Sequence, residues 1–245
     1  MQATTLSVAL TLAAALAAGS AQANTTLTFQ HGVNSYAGGA DTTLMSSDPD
    51  FAHGADEAAS IDASDGGSPN HVLLRFDNLF GNDSGQIKAS DTIISAKITF
   101  SIDSQGSGVK FHDMLQPWNE ASITWNSAVN GIQTDGVEAA TTPFFSLGAN
   151  TPDSNVFGST FMADVTVSLN AVKNGTLPGY GWALMPFEPD GTNGLDFFAK
   201  EAFFAADRPL LTVEIAPVPE PETYALMLAG LGLVSFAARR RANRA

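Results

Sequence analysis

Ile93-Ile94-Ser95-Ala96-Lys97-Ile98-Thr99-Phe100-Ser101-Ile102 sets the reading of the fold. In an extended strand, side chains alternate between two faces. Ile94, Ala96, Ile98, Phe100 and Ile102 then share one apolar face, which predicts a strand with one side buried. Other stretches repeat the pattern. Thr25 to Gln30 is rich in β-formers, and Val72-Leu73-Leu74-Arg75-Phe76 is a compact apolar strand. Phe161 to Leu169 alternates, with Phe161, Ala163, Val165, Val167 and Leu169 together. Gly181 to Met185, Leu195 to Phe198 and Leu210 to Ile215 complete the set. Gly, Asp, Asn, Ser and Pro clusters separate these runs. Short strands with such punctuation predict an all-β fold, a β-sandwich of jelly-roll type.

One short helix is expected in the body. Ser168 would cap it, Leu169 to Lys173 would form it, and Asn174-Gly175 would end it. Ser46 to Pro69 reads as an excursion loop with one apolar contact at Ile61, and Gly131 to Pro152 reads similarly.

The chain has 245 residues and a formal charge of −14. The part before the tail is more acidic, with 23 acids against 7 basic residues, a net −16. Such a surface repels phosphate backbones, which excludes nucleic acid as a partner. There is no cysteine, so disulfides and thiolate metal sites are excluded.

Both ends carry export signatures. Leu6 to Ala18 is an apolar run, and Ala21-Gln22-Ala23 gives the small-x-small pattern of signal-peptide cleavage after Ala23. Met1 to Thr5 lacks Lys and Arg, so only the α-amine supplies positive charge there. At the other end, Pro219-Glu220-Pro221 precedes an uncharged run from Tyr224 to Ala238, then Arg239-Arg240-Arg241. As a helix that run is about 22 Å long, against a hydrocarbon core of about 30 Å. The arginines can snorkel to cover part of the deficit. The run is therefore expected to be a transmembrane sorting helix. The organisation expected is a signal peptide at 1–23, a β-sandwich domain at 24–215 and a sorting segment at 216–245.

This tail resembles the PEP-CTERM sorting signal. The resemblance implies export, recognition by an exosortase and processing near the motif. It also implies contact with the inner membrane through the helix beforehand. Placement would be the cell envelope, cell surface or extracellular matrix.

The body resembles DNRLRE-type domains, which include carbohydrate-binding modules. Asp41-Thr42 is similar to the family's early strand start, and Leu73-Leu74-Arg75-Phe76-Asp77 to its central strand. Ile93 to Ile98 is similar to the next strand. Trp118-Asn119-Glu120-Ala121-Ser122-Ile123-Thr124-Trp125 resembles its Trp-x-Glu-x-x-x-Thr-Trp segment. Tyr180-Gly181-Trp182-Ala183-Leu184 and Arg208-Pro209-Leu210-Leu211-Thr212-Val213 resemble its last strands. The family's own Asp-Asn-Arg-Leu-Arg-Glu string is absent. The resemblance implies a jelly-roll sandwich that binds extracellular polysaccharide.

Flat aromatic rings stack on sugar faces, so Tyr36, Trp118, Trp125 and Trp182 are the candidate ligand-binding residues. Tyr36, in a Gly-rich turn, is expected to be exposed. Trp125 and Trp182 sit in strand-like segments, where a core role competes. Asp48, Asp50, Asp62 and Asp65 crowd one loop and are candidates for a structural calcium, although their spacing is not that of an EF-hand. His31, His53, His71 and His112 form no H-E-x-x-H motif, and no Gly-x-Ser-x-Gly elbow occurs. Arg75 and Arg208 are expected to pair with acids such as Asp77 and Glu201. The expectation is a non-catalytic polysaccharide-binding protein. The alternatives are a structural matrix protein without specific ligand, or a polysaccharide lyase or hydrolase.

Overall fold

A computed structural model describes residues 24–63, 68–104, 106, 108–147, 156–187, 195–216 and 221–242. Ala23, Asp65, Pro219 and Glu220 lie outside the described residues, as does the expected signal peptide. Thr26–Ile215 forms one compact unit, and the C-terminal helix belongs to another.

The strands are β1 (Thr25–Gln30), β2 (Gly39–Met45), β3 (Ala58–Ile61), β4 (Asn70–Phe76), β5 (Thr92–Ser104) and β6 (Val109–Asp113). They continue with β7 (Phe145–Leu147), β8 (Thr160–Asp164), β9 (Trp182–Pro186), β10 (Leu195–Phe198) and β11 (Leu210–Ala216). Helix α1 spans Thr166–Lys173 and helix α2 spans Pro221–Ala242. Among the described residues the strands form two sheets. One runs β1-β11-β5-β10-β3, with β8 also paired to β5. The other runs β2-β4-β9-β6-β7, with neighbouring strands antiparallel.

The inner faces of the two sheets share one core. Val72, Leu74, Val109, Phe111 and Leu184 from one meet Ile98, Phe100, Ile102, Phe197 and Val213 from the other. Phe100 lies at its centre with no exposed surface. Its ring stacks on Phe161 at 4.5 Å and meets Phe197 edge-on at 4.7 Å. Such packing gives the sandwich its main stabilisation without disulfides.

A second core covers the outer face of the β2-β4-β9-β6-β7 sheet. Leu73 and Ala183 point away from the first core, as strand alternation requires, and pack with Ala40 and Leu44. The segment after β6 folds back over them. It brings Met114, Trp118, Trp125, Ala128 and Ile132 onto that face. This sheet is thus buried on both sides, which explains why Val72-Leu73-Leu74 is apolar without a break.

Several sequence expectations change. The alternation in β5 shifts phase after Ile93: Ile93 and Ala96 are both buried, whereas Ile94 is 43% exposed. At this point the Ala96 N–H leaves the sheet ladder and donates to Thr166 Oγ1 at 2.9 Å. The alternating run from Phe161 ends as a strand at Asp164, and Val167 faces solvent on the helix. Helix α1 starts at Thr166, not after a Ser168 cap: Val165 holds the cap position and has no side-chain acceptor, and the Thr166 N–H donates to Asp164 Oδ1 at 2.9 Å. Its end matches expectation. Gly175 takes φ +74°, the Gly175 N–H donates to Val172 O, and the Thr176 N–H donates to Ala171 O. The excursion loop before Pro69 contains β3, which pairs with β10 and buries Ile61.

The tail also differs from expectation. No helix among the described residues is long and apolar enough to cross a membrane. In α2 the uncharged run stops between Glu222 and Arg239, which limits the continuous apolar length. Its large apolar side chains Met227, Leu228, Leu231, Leu233, Val234 and Phe236 are all exposed.

Candidate functional site

A cleft of about 310 Å³ opens where β6 and β9 meet α1. Asp113 is the last residue of β6 and stands opposite Trp182, the first of β9. Both sit at the end of the register that carries Phe111 and Leu184 into the core. Ser168, one turn into α1, closes the group. The Trp182 indole N–H donates to Ser168 Oγ at 2.7 Å, and Ser168 Oγ–H donates to Asp113 Oδ1. This chain, aimed at one carboxylate oxygen, holds the Asp113 side chain in place. Burial raises the Asp113 pKa, although the Ser168 hydrogen bond opposes that shift. Among the described residues, Asp113 has no ion-pair partner within 4.0 Å.

The cleft walls mix apolar and polar groups. Val172, Leu177 and Pro178 form one side, and Phe80 and Tyr180 supply rings. Arg75 and Asp77 also line it, with Arg75 Nε 2.7 Å from Asp77 Oδ1. Arg75 is held from its other side as well. Its guanidinium lies 4.7 Å over the Trp118 ring and donates to Trp118 O at 3.1 Å. Gly181 makes the approach possible: its φ is +81°, and a Cβ there would lie 2.2 Å from Leu74 O.

A second polar group lies at the β2 edge. Asp41, Glu120 and Glu201 each offer an oxygen within 4.8 Å of the others. Three carboxylates are a donor set that a hard cation accepts. Here the ammonium of Lys200 already joins two of them. Its Nζ lies 3.2 Å from Glu120 Oε1 and also bonds Glu201 Oε1. Asp41 is 2% exposed. Its Oδ2 accepts from the Lys200 backbone N–H at 2.8 Å, and its own N–H donates to Glu120 Oε1. Burial pushes the Asp41 pKa up to about 7 against the Lys200 hydrogen bond, and the Glu201 and Glu120 charges add to the rise. Burial pulls the Lys200 pKa down, but the Glu201 hydrogen bond and both glutamate charges outweigh it, leaving the pKa raised. The group ties β2, the Trp118–Trp125 segment and the end of β10 together.

The sequence-selected aromatics are not a surface row. Trp118, Trp125 and Trp182 are buried. Trp125 packs against His71 at 5.0 Å, and the Trp118 indole N–H donates to Tyr180 O. Tyr36, expected to be exposed, is half-buried: its ring contacts Phe29 and Phe76, and its hydroxyl donates to Asp77 O. Only Trp182 reaches the cleft.

Among the described residues, Asp48, Asp50 and Asp62 form no carboxylate group within ligand reach of one another, and Asp65 lies outside them. Asp48 and Asp50 are exposed, and Asp50 accepts from Asn126 Nδ2 at 2.8 Å. Asp62 bridges Asn70 through backbone hydrogen bonds. Among the described residues, the one carboxylate trio within ligand reach is that of Asp41. Arg75 pairs with Asp77 as expected. Arg208 does not pair with Glu201; it donates to Ala202 O and His31 O. The sequence patterns did not single out Asp113, and they marked Ser168 only as a helix cap. The one available signal was a polar Ser inside an apolar helix turn.

Among curated proteins, none matches the chain. Residues 217–241 match the model of the PEP-CTERM protein-sorting motif. That match covers the Pro219-Glu220-Pro221 triplet and the arginines Arg239, Arg240 and Arg241, and it supports an exported, exosortase-sorted protein of the cell envelope or surface.

Proposed function

We propose that this chain is an exported surface or matrix protein whose jelly-roll sandwich binds extracellular polysaccharide without catalysing its breakdown. The cleft at Asp113 carries this reading. It joins a fixed carboxylate, a hydroxyl and apolar walls, the mixture that sugar sites use. The resemblance of the body to DNRLRE-type domains points the same way. The sorting motif would bring the protein to the polymer it binds. Helix α2 would contact the inner membrane before processing, since apolar side chains all around a helix have no use in water.

A glycan array probed with the full chain tests the reading. Retention on one class of polysaccharide is expected, with no release of reducing or unsaturated ends. Absence of retention on every glycan would instead favour a structural matrix protein. The burial of Trp118 and Trp125, which leaves no aromatic row, is what that second reading rests on.

A further inference from the structure

We infer that the cleft beside Asp113 is a subsite for an uncharged pyranose unit, whose hydroxyls donate to the Asp113 carboxylate. The inference rests on the polysaccharide reading above and names the ligand class for that site.

The argument begins with donors and acceptors. Ser168 Oγ–H is spent on Asp113 Oδ1, and the Trp182 N–H is spent on Ser168 Oγ. An ionised carboxylate accepts at both oxygens and donates nothing. Asp113 therefore offers acceptor capacity to the cleft that it lines. A ligand must bring donors. Sugar hydroxyls are donors, and their ring C–H faces suit the walls of Val172, Leu177 and Pro178.

Charge then narrows the class. A uronate would bring its own carboxylate next to Asp113 and Asp77. The one cation lining the cleft is Arg75, which is held by Asp77 and by the Trp118 ring and carbonyl. The excess of acids over bases in the body adds to the repulsion. The upward shift of the Asp113 pKa agrees: burial outweighs the opposing Ser168 hydrogen bond, the His112 charge and the Trp182 hydrogen bond. A neutral hydroxyl donor relieves that state, and an anion worsens it.

Affinity electrophoresis of the full chain provides the test. The gels contain dextran, galactomannan or hydroxyethylcellulose as neutral polymers, and polygalacturonate as the uronic one. Retardation is expected in at least one neutral gel and not in polygalacturonate. Asp113→Asn keeps the shape but turns one acceptor oxygen into a donor, and should reduce the retardation coefficient at least tenfold. Leu177→Trp fills the cleft from a half-exposed position and should act likewise, even if Asp113→Asn impairs folding. Neutral-gel retardation unchanged in both variants would overturn the subsite while leaving polysaccharide binding intact. Retardation in polygalacturonate would overturn the ligand class. No retardation in any gel would remove the polysaccharide reading and this inference together.

Discussion

The Trp182 indole N–H and Ser168 Oγ are 2.7 Å apart, and that hydrogen bond joins the sandwich core to the helix bordering the cleft. Ser168→Ala strands the indole N–H and removes the donor to Asp113. Leaving a buried donor unpaired costs roughly 1–3 kcal/mol. Denaturant unfolding should show a loss of that size. Val167→Ala on the exposed face of the same helix should stay within about 0.5 kcal/mol of wild type.

Lys200 is the cation that makes the Asp41, Glu120 and Glu201 group tolerable. Lys200→Met leaves three acids facing one another. Breaking a fully dry pair costs about 3–5 kcal/mol. Glu120 and Glu201 retain 24% and 29% side-chain exposure, so a loss of roughly 2–3 kcal/mol is expected after allowing for solvent screening. The loss should shrink as pH falls and Asp41 takes up its proton. A loss that grows on acidification would contradict this role.

Asp41 and His71 should oppose each other in the pH dependence of stability. Asp41 holds its proton up to about pH 7 when folded, against the ordinary aspartate value of 3.8. The folded state therefore binds more protons between those values, and stability falls as pH rises from about 4 to 7. His71 is lowered from 6.5 to about 4 by burial, and its Nδ1 accepts from the Ile132 N–H. Here the unfolded state binds more protons, so stability falls as pH drops from 6.5 towards 4. His71→Gln removes the second effect. The stability difference between wild type and this variant should then shift against wild type by about 1.4 kcal/mol per pH unit below 6.5. Urea melts across pH 4–8 would show it, and a constant difference would refute it.

Processing should depend on the tail and not on the sandwich. Replacing Pro219, Glu220 and Pro221 with alanine should leave the full-length form accumulating in the exporting host, seen as an unshortened band. Under the proposed contact of α2 with the membrane, Arg239, Arg240 and Arg241 changed to Gln should weaken retention there before processing, since cationic residues at the end of an apolar helix favour the anionic cytoplasmic face. Normal shortening of the Pro-Glu-Pro variant would remove the motif from the account.

The two-sheet architecture was legible because strand alternation is local. Ile98, Phe100 and Ile102 announce a buried face within a few residues of one another. Ile94 misled because the strand changes phase where the Ala96 N–H bonds Thr166, 70 residues away in sequence. Trp118 and Trp125 stood as ligand candidates with a core role competing, because nothing nearby in sequence shows what covers them. They are buried by folding onto Leu73 and Ala183, on the outer side of a sheet whose second covering layer leaves no local mark. Asp113 and Ser168 are 55 residues apart and meet only once β6 and α1 are in place. The acidic loop shows the converse: proximity in sequence made Asp48, Asp50 and Asp62 look like ligands, whereas the fold gathers Asp41, Glu120 and Glu201.

The most direct measurement follows the indole N–H resonances of ¹⁵N-labelled protein during titration with neutral oligosaccharides from dextran, galactomannan and cellulose. Trp182 lines the cleft, whereas Trp125 lies under the segment covering the outer face of its sheet. A saturable shift of the Trp182 resonance with Trp125 unmoved is the predicted result. A saturable shift confined to Trp125, or no shift in any resonance with any of the three sugars, would contradict binding at the cleft.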